Sequence, residues 1–308
     1  MALFKAVKKP VIRQAASDGS TTSALRPRYS PKTAPCAAAC PIGCDVRGAM
    51  SALAEGQSLE SAWRILTARN PFPVMTGRLC DGPCEAQCHR VAKDGAVSIR
   101  AVELSLGEYA IAQDLQFPRP KQLSARVAIL GGGYAALSAA YHLARRGYGC
   151  TVFGAPDAAD PEIRRILCLG VELRPGAPDA SFDATIDAVE DASPARAVAW
   201  GLSEAESSDA RLRGVTFQKP APRPPVPLDR IKLSWYPAAA PAPGDTVAEA
   251  RRCMSCGMCM ACGNCWMYCS HSGFEKLPNG RRYRLTLDAC NGCKKCADEC
   301  PSGYIDMV

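Results

Sequence analysis

Cys259-Met-Ala-Cys262-Gly-Asn-Cys265-Trp-Met-Tyr-Cys269, followed twenty residues on by Cys290-Asn-Gly-Cys293-Lys-Lys-Cys296-Ala-Asp-Glu-Cys300-Pro301, decides the fold of the C-terminal region. The two quartets repeat one spacing. In such a run three close thiolates cap one face of an iron-sulfur cubane, while the fourth cysteine crosses over to the other cluster. Cys259, Cys262, Cys265 and Cys300 are therefore expected to hold one 4Fe-4S centre, and Cys290, Cys293, Cys296 and Cys269 the second. Zinc also takes CxxC pairs, but it needs only four ligands, usually in two pairs well apart, so eight matched cysteines suit it poorly. Ser270 stands where the pattern commonly carries proline, and Trp266, Tyr268 and His271 read as packing and solvent shielding.

Outward from this stretch, the cysteines mark two metal-rich ends. The chain has 308 residues and 18 cysteines: six between Cys36 and Cys88, ten between Cys253 and Cys300, and the isolated Cys150 and Cys168. The N-terminus, MALFKAVKKPVIRQAASDGS, is basic and lacks an apolar run of signal-peptide length, which predicts a cytoplasmic protein. Thiols there stay reduced, so metal is a better expectation than a disulfide framework. The formal charge of +7 treats every cysteine as neutral. Each four-thiolate cluster adds about two negative charges, which brings the loaded chain near neutrality and argues against nucleic-acid binding. The apolar stretch Val127 to Ala144 contains Gly131-Gly132-Gly133, which suits a strand, tight turn and helix and disfavours a membrane span.

The predicted fold class is α+β with several domains: a helical iron-sulfur domain, a truncated Rossmann-like α/β domain and a C-terminal bacterial-type two-cluster domain. Residues 1–35 read as a basic arm without a core of its own, with Arg26, Arg28 and Lys32 facing solvent or a partner. Residues 36–117 form the helical unit, because apolar residues recur at helical spacing from Val46 to Ala68 and from Val97 to Gln113. Residues 121–216 carry a strand at Arg126 to Leu130, a helix from Tyr134 to Arg146, a strand at Cys150 to Phe153, a helix between Pro161 and Leu169, and weaker strands near Val171 to Leu173 and Ala184 to Ile186. Residues 217–246 read as an extended linker, with eight prolines between Lys219 and Pro243. Residues 247–308 begin with a short helix, Val247 to Arg252, and hold the two quartets.

The other cysteine group reads Cys36-Ala-Ala-Ala-Cys40-Pro-Ile-Gly-Cys44-Asp-Val, then Gly77-Arg-Leu-Cys80-Asp-Gly-Pro-Cys84-Glu-Ala-Gln-Cys88. Spacing alone says metal without a stoichiometry. Together with Ala96-Val-Ser-Ile-Arg-Ala-Val-Glu103, these residues resemble the N-terminal iron-sulfur domain of the family that contains the glutamate synthase small subunit and dihydropyrimidine dehydrogenase. The resemblance implies two 4Fe-4S clusters, one held by Cys40, Cys80, Cys84 and Glu103, and half of the other by Cys36 and Cys88. The family's CxxC pair shortly before Cys36 is missing, its places taken by Arg28 and Pro31. A similar segment, Glu249-Ala-Arg-Arg-Cys253-Met-Ser-Cys256, stands just before the C-terminal quartets, and by folding back it would complete the cluster of Cys36 and Cys88. Two other readings stay open: the pair is a remnant, or Cys44 takes its place. Cys44, Cys150 and Cys168 otherwise read as small buried apolar residues.

Gly131-x-Gly133, after a strand and before a helix, opens a dinucleotide-binding fingerprint, and with the residues through Gly147 it resembles the FAD-binding half of the same family. Gly131 and Gly133 are thus candidate FAD contacts. Against FAD, Ala136 replaces the third glycine, Tyr134 replaces a smaller residue, and Gly154 stands where an acid would hold ribose. The family's NAD(P)H domain has no room, so no NAD(P)H site is expected. His142 reads as packed, and no nucleophile with its base is visible.

The C-terminal quartets resemble ferredoxin subunits of 2-oxoacid:acceptor oxidoreductases and the tails of related sulfur-metabolism flavoproteins, which implies an anaerobic complex. The expectation is an electron-transfer subunit, itself without catalytic residues, relaying single electrons through three or four clusters. Its partners would be catalytic oxidoreductase subunits and a soluble ferredoxin. The rival readings are an FAD-containing NAD(P)H oxidoreductase subunit and a scaffold that delivers clusters.

Overall fold

The computed structural model describes residues 23–179, 181–219, 221, 223–278 and 283–308. The first 22 residues of the basic arm, and the leader reading made on them, lie outside these. The chain enters through strand β1 (Pro27–Tyr29) and the short helix α1 (Pro35–Ala39). Helix α2 (Val46–Ala54) starts where the Asp45 carboxylate accepts from the Gly48 amide at 2.9 Å, and it buries Val46, Met50 and Leu53. Gly56, at φ +82°, then ends the periodic run that reads as helical from Val46 to Ala68. Ser58 caps a second helix, α3 (Leu59–Thr67), whose Trp63 is fully buried and stacks on Phe117 at 5.1 Å.

Helices α4 (Pro73–Leu79), α5 (Pro83–Ala86) and α6 (Ile99–Ala112) follow. Pro73 suits the first turn of α4, where its missing N–H costs nothing. Gly77 and Gly107 let α4 and α6 approach closely, since a Cβ on either would come within 2.8 Å of a backbone nitrogen of the other helix.

A four-stranded sheet comes next, built from β2 (Arg126–Leu130), β3 (Gly149–Phe153), β4 (Glu172–Arg174) and β5 (Ala184–Asp187). Its order is β4-β3-β2-β5, with every pair parallel. Helix α7 (Tyr134–Ala144) is buried on all sides, which explains why its sequence is nearly uncharged: it is a core helix. Among the described residues no helix is long and apolar enough to cross a membrane. Helix α8 (Pro161–Leu167) sends the Glu162 carboxylate to accept from the Val74 and Met75 amides at 2.9 and 3.0 Å. Helix α9 (Pro194–Leu212), absent from the sequence expectation, packs on α7 through Ala197, Val198, Gly201 and Ala205. The sheet unit and the helical unit share one apolar core, and Tyr141 donates to the Thr67 carbonyl across their junction.

The proline-rich stretch departs from an extended linker. It makes 3-10 turns at Leu228–Arg230 and Leu233–Trp235 and buries Val226, Ile231 and Tyr236. Helix α10 (Thr246–Arg251) then packs against α2 and α6. The C-terminal region holds α11 (Asn264–Met267), the hairpin β6 (Phe274–Lys276) and β7 (Tyr283–Leu285), α12 (Lys295–Asp298) and β8 (Ile305–Met307). β8 pairs antiparallel with β1, Tyr29 opposite Ile305. Lys32, expected to face solvent or a partner, instead reaches the Gly303 carbonyl and pairs with Asp306.

Candidate metal centres

Cys259, Cys262, Cys265 and Cys300 line one small enclosed cavity, and Cys269, Cys290, Cys293 and Cys296 line another beside it. The quartets that share a cavity are those in which the fourth cysteine has crossed over. Backbone turns aim the thiols. In each motif the residue before the second cysteine, Ala261 or Gly292, and the residue after it, Gly263 or Lys294, sit at positive φ between 56° and 86°. For Ala261 and Lys294 that conformation costs on the order of 1 kcal/mol, strain of the kind held at functional sites.

The amide ahead of the second cysteine also donates to the first sulfur: Ala261 to Cys259 Sγ and Gly292 to Cys290 Sγ, both at 3.4 Å. Gly273 donates to Cys269 Sγ at 3.2 Å and Tyr304 to Cys300 Sγ at 3.3 Å. Tyr29, a residue sequence reasoning passed over, covers the first of these cavities. It stacks on Tyr304 at 5.2 Å, and its hydroxyl donates to the Tyr283 carbonyl at 2.7 Å. Its only sequence signal is that it is one of two aromatic side chains, with Phe4, in the basic arm. Trp266 packs in the same apolar cluster, and Tyr268 and His271 lie at the surface.

The third cavity is lined by Cys36, Cys88, Cys253 and Cys256, which join the chain's early and late parts. Residues 253–257 repeat the turn of the C-terminal motifs, with Ser255 at φ +49° and Gly257 at φ +74°. Arg47 donates to the Cys256 carbonyl at 2.8 Å and holds this turn against α2. Burial pushes the Cys253 and Cys256 thiols up to about 11 and about 12, and the neighbouring thiols add to it. A polycationic core would offset that repulsion. His89 lines the same cavity.

The fourth group gathers Cys40, Cys80, Cys84 and Glu103. Glu103 is buried and accepts from the Thr76 hydroxyl at 3.4 Å; burial, followed by the charge of Cys40, raises its carboxyl to about 8. Cys44 is fully buried beside them. The Cys40 thiol is lowered to about 6 by a hydrogen bond from Cys44, whose own thiol is pushed up. Among the described residues no three His, Cys, Asp or Glu side chains converge on one point. The C-terminal thiols and the Cys36 group instead ring cavities, the arrangement that suits a polynuclear core.

At the glycine turn, the exposed Glu190 lies over the start of α7. Its carboxylate accepts from the Ala135 and Ala136 amides at 3.3 and 3.5 Å, and a Cβ on Gly133 would collide with it. A Cβ on Gly154 would meet the Gly131 backbone at 2.6 Å, so the turn is tight on this side too. His142 is buried, its Nε2 3.1 Å from the Arg69 carbonyl, and burial lowers its pKa to about 3.

Thiol-lined cavities beside a cysteine-rich helical unit mark an iron-sulfur protein. Residues 5–115 match the family model described as dihydropyrimidine dehydrogenase domain II, 4Fe-4S cluster, and in this region the chain is similar to that family. The chain is 38% identical over 125 residues to the NADPH-Fe(3+) oxidoreductase subunit beta of Geobacter sulfurreducens, covering 40% of this chain and 18% of that one. It is 33% identical over 135 residues to the glutamate synthase [NADPH] small chain of Bacillus subtilis, covering 39% and 27%. It is 32% identical over 146 residues to the NADP(+)-dependent formate dehydrogenase subunit beta of Moorella thermoacetica, covering 40% and 20%. The chain thus spans less than a third of the length of these relatives.

Proposed function

We propose that the chain is a relay for single electrons through four 4Fe-4S centres, working as a subunit beside a catalytic oxidoreductase in the cytoplasm. Cys40, Cys80, Cys84 and Glu103 hold the first centre, and Cys36, Cys88, Cys253 and Cys256 the second. Cys259, Cys262, Cys265 and Cys300 hold the third, and Cys269, Cys290, Cys293 and Cys296 the fourth. Each centre, when bound, supplies a one-electron redox couple; the chain's residues hold it, shield it and set its spacing.

One observation carries this reading: neighbouring sites are tied by very short pieces of chain. Cys36 and Cys40, like Cys84 and Cys88, link the first and second sites; Cys256 and Cys259 link the second and third; Cys265 and Cys269, with Cys296 and Cys300, link the third and fourth. A trans chain advances at most about 3.6 Å per residue, so linked ligands stand within roughly 11 to 15 Å of one another. The sites therefore form a line with short steps. The shared backbone turn at Cys253 to Cys256 supports a metal-holding role for that pair over a remnant motif.

The partners that fit are a catalytic subunit of an anaerobic, 2-oxoacid-oxidising type or a related complex, and a soluble ferredoxin. Iron and acid-labile sulfide should approach about sixteen of each per chain, four per centre. Replacing Cys253 and Cys256 by serine should remove one paramagnetic centre and about four irons. Zinc in place of iron, or an unchanged spectrum in that double variant, would refute the assignment.

A further inference from the structure

The joint between the second and third sites is built differently from its neighbours. Two covalent links cross each of the other joints, whereas only Cys256-Gly257-Met258-Cys259 crosses this one. Side-chain packing supplies the rest. Tyr236, 5% exposed, lies in one apolar cluster with Met254, Cys256 and Met260. Met254 and Cys256 line the cavity of Cys36, Cys88, Cys253 and Cys256, and Met260 lines that of Cys259, Cys262, Cys265 and Cys300. The Tyr236 hydroxyl donates to the Met254 carbonyl at 2.7 Å, inside the turn between Cys253 and Cys256. Its ring therefore packs against residues that line both cavities.

The stretch that carries Tyr236 is fastened on both sides of the joint. Toward the C-terminal unit, Lys232 N donates to the Pro301 carbonyl at 3.1 Å and Arg230 pairs with Asp306 at 2.8 Å. Toward the N-terminal unit, Arg90 donates to the Pro237 carbonyl at 2.8 Å. Residues 226–237 are a strap that puts one ring in place.

We propose that Tyr236 is the positioning residue for electron passage between the second and third centres: its ring keeps water out of the joint and gives the electron a packed path. This rests on the relay reading above. An electron passing between the two bound centres would leave one and enter the other, with Tyr236 itself not oxidised. A packed aromatic ring couples two sites better than a disordered gap, because a void forfeits the contacts that bridge it.

The test uses the full chain loaded with iron, partially reduced with dithionite and followed by freeze-quench paramagnetic resonance, which reports how fast electrons redistribute between the two centres. Tyr236→Leu should keep its iron and its midpoint potentials yet redistribute several-fold more slowly. Tyr236→Phe, which keeps the ring, should behave as wild type. A wild-type rate in Tyr236→Leu with full iron overturns the proposal, as does loss of iron from both variants, which would make Tyr236 part of a metal seat. Wild-type protein holding clearly fewer than about sixteen irons would instead sink the relay reading itself.

Discussion

Arg90 Nη1 donates to the carbonyl oxygen of Arg252 at 2.7 Å, joining positions 162 residues apart. Both side chains are 2% exposed, and each pairs with Asp94. Arg252 also reaches the Ala96 and Gly95 carbonyls at 2.8 Å and pairs with Glu249, which in turn accepts from Ser98 N. This lock brings Cys253 and Cys256 back to Cys36 and Cys88. Arg252→Ala strands the buried Glu249 carboxylate, and breaking a buried pair in this way costs about 3–5 kcal/mol. Denaturant unfolding should show that loss, and the variant should bind about four fewer irons.

The same lock has a pH signature. Hydrogen bonds from Arg90 hold the Asp94 carboxyl well below the usual carboxylate range. A depressed carboxyl stabilises the fold above its unfolded pKa and loses that contribution as pH falls through the folded value. Wild-type stability should therefore decline below about pH 4, and Asp94→Asn should flatten this acid limb in denaturation curves taken from pH 6 downward.

Glu162 behaves in the opposite sense. Burial raises its carboxyl to about 7, although the Val74 and Met75 amides pull it down. A raised carboxyl favours the fold below its unfolded pKa, and the contribution fades as pH climbs through the folded value. The decline from about pH 4.5 to 7 is on the order of 3 kcal/mol. Glu162→Gln, which keeps an acceptor for one amide, should remove this slope; an unchanged slope would assign it to another group.

Glu190 bears on whether the glycine turn takes a dinucleotide. Its carboxylate lies where backbone amides at a helix N-terminus would meet a phosphate. Titration calorimetry with ADP and with FAD should show weaker binding to wild type than to Glu190→Ala. Flavin released on denaturation of the wild type, one per chain, would favour the flavoprotein reading.

Tyr29 shields the cavity of Cys259, Cys262, Cys265 and Cys300. Tyr29→Ala should leave the iron content of anaerobically purified protein intact but hasten bleaching of the visible absorbance in air. Tyr29→Phe keeps the stack on Tyr304 and should bleach at close to the wild-type rate.

The cysteine quartets are legible in the sequence because cubane geometry fixes their spacing whatever surrounds them. Strand β2 and helix α7 are legible too, because apolar residues flank a glycine turn. Helix α9 is not: apart from Val198 and Leu202 its buried face is small, Ala195, Ala197, Gly201, Ala205, Ser208 and Ala210, which gives little apolar periodicity and buries through close approach to α7. The strap is hidden for another reason. Its prolines forbid regular structure, and composition cannot reveal that Val226, Ile231 and Tyr236 are buried by tertiary contacts. The pairing of β1 with β8 rests on three residues a side, too few for any pattern. Cys253 to Cys256 is recognisable as a turn of the same spacing as those in the quartets, while its meeting with Cys36 depends on buried arginines whose partners lie far along the chain.

The β1–β8 ladder also constrains the order of assembly. A ribosome makes Tyr29 early and Ile305 near the close of the stretch described here, so the aromatic cover has nothing to rest on until almost all of that stretch exists. Such distant pairing is slow to form. Iron loaded onto the C-terminal quartets before it forms would meet solvent and oxygen unguarded, which favours metal insertion coupled to a late closing step in anoxic surroundings.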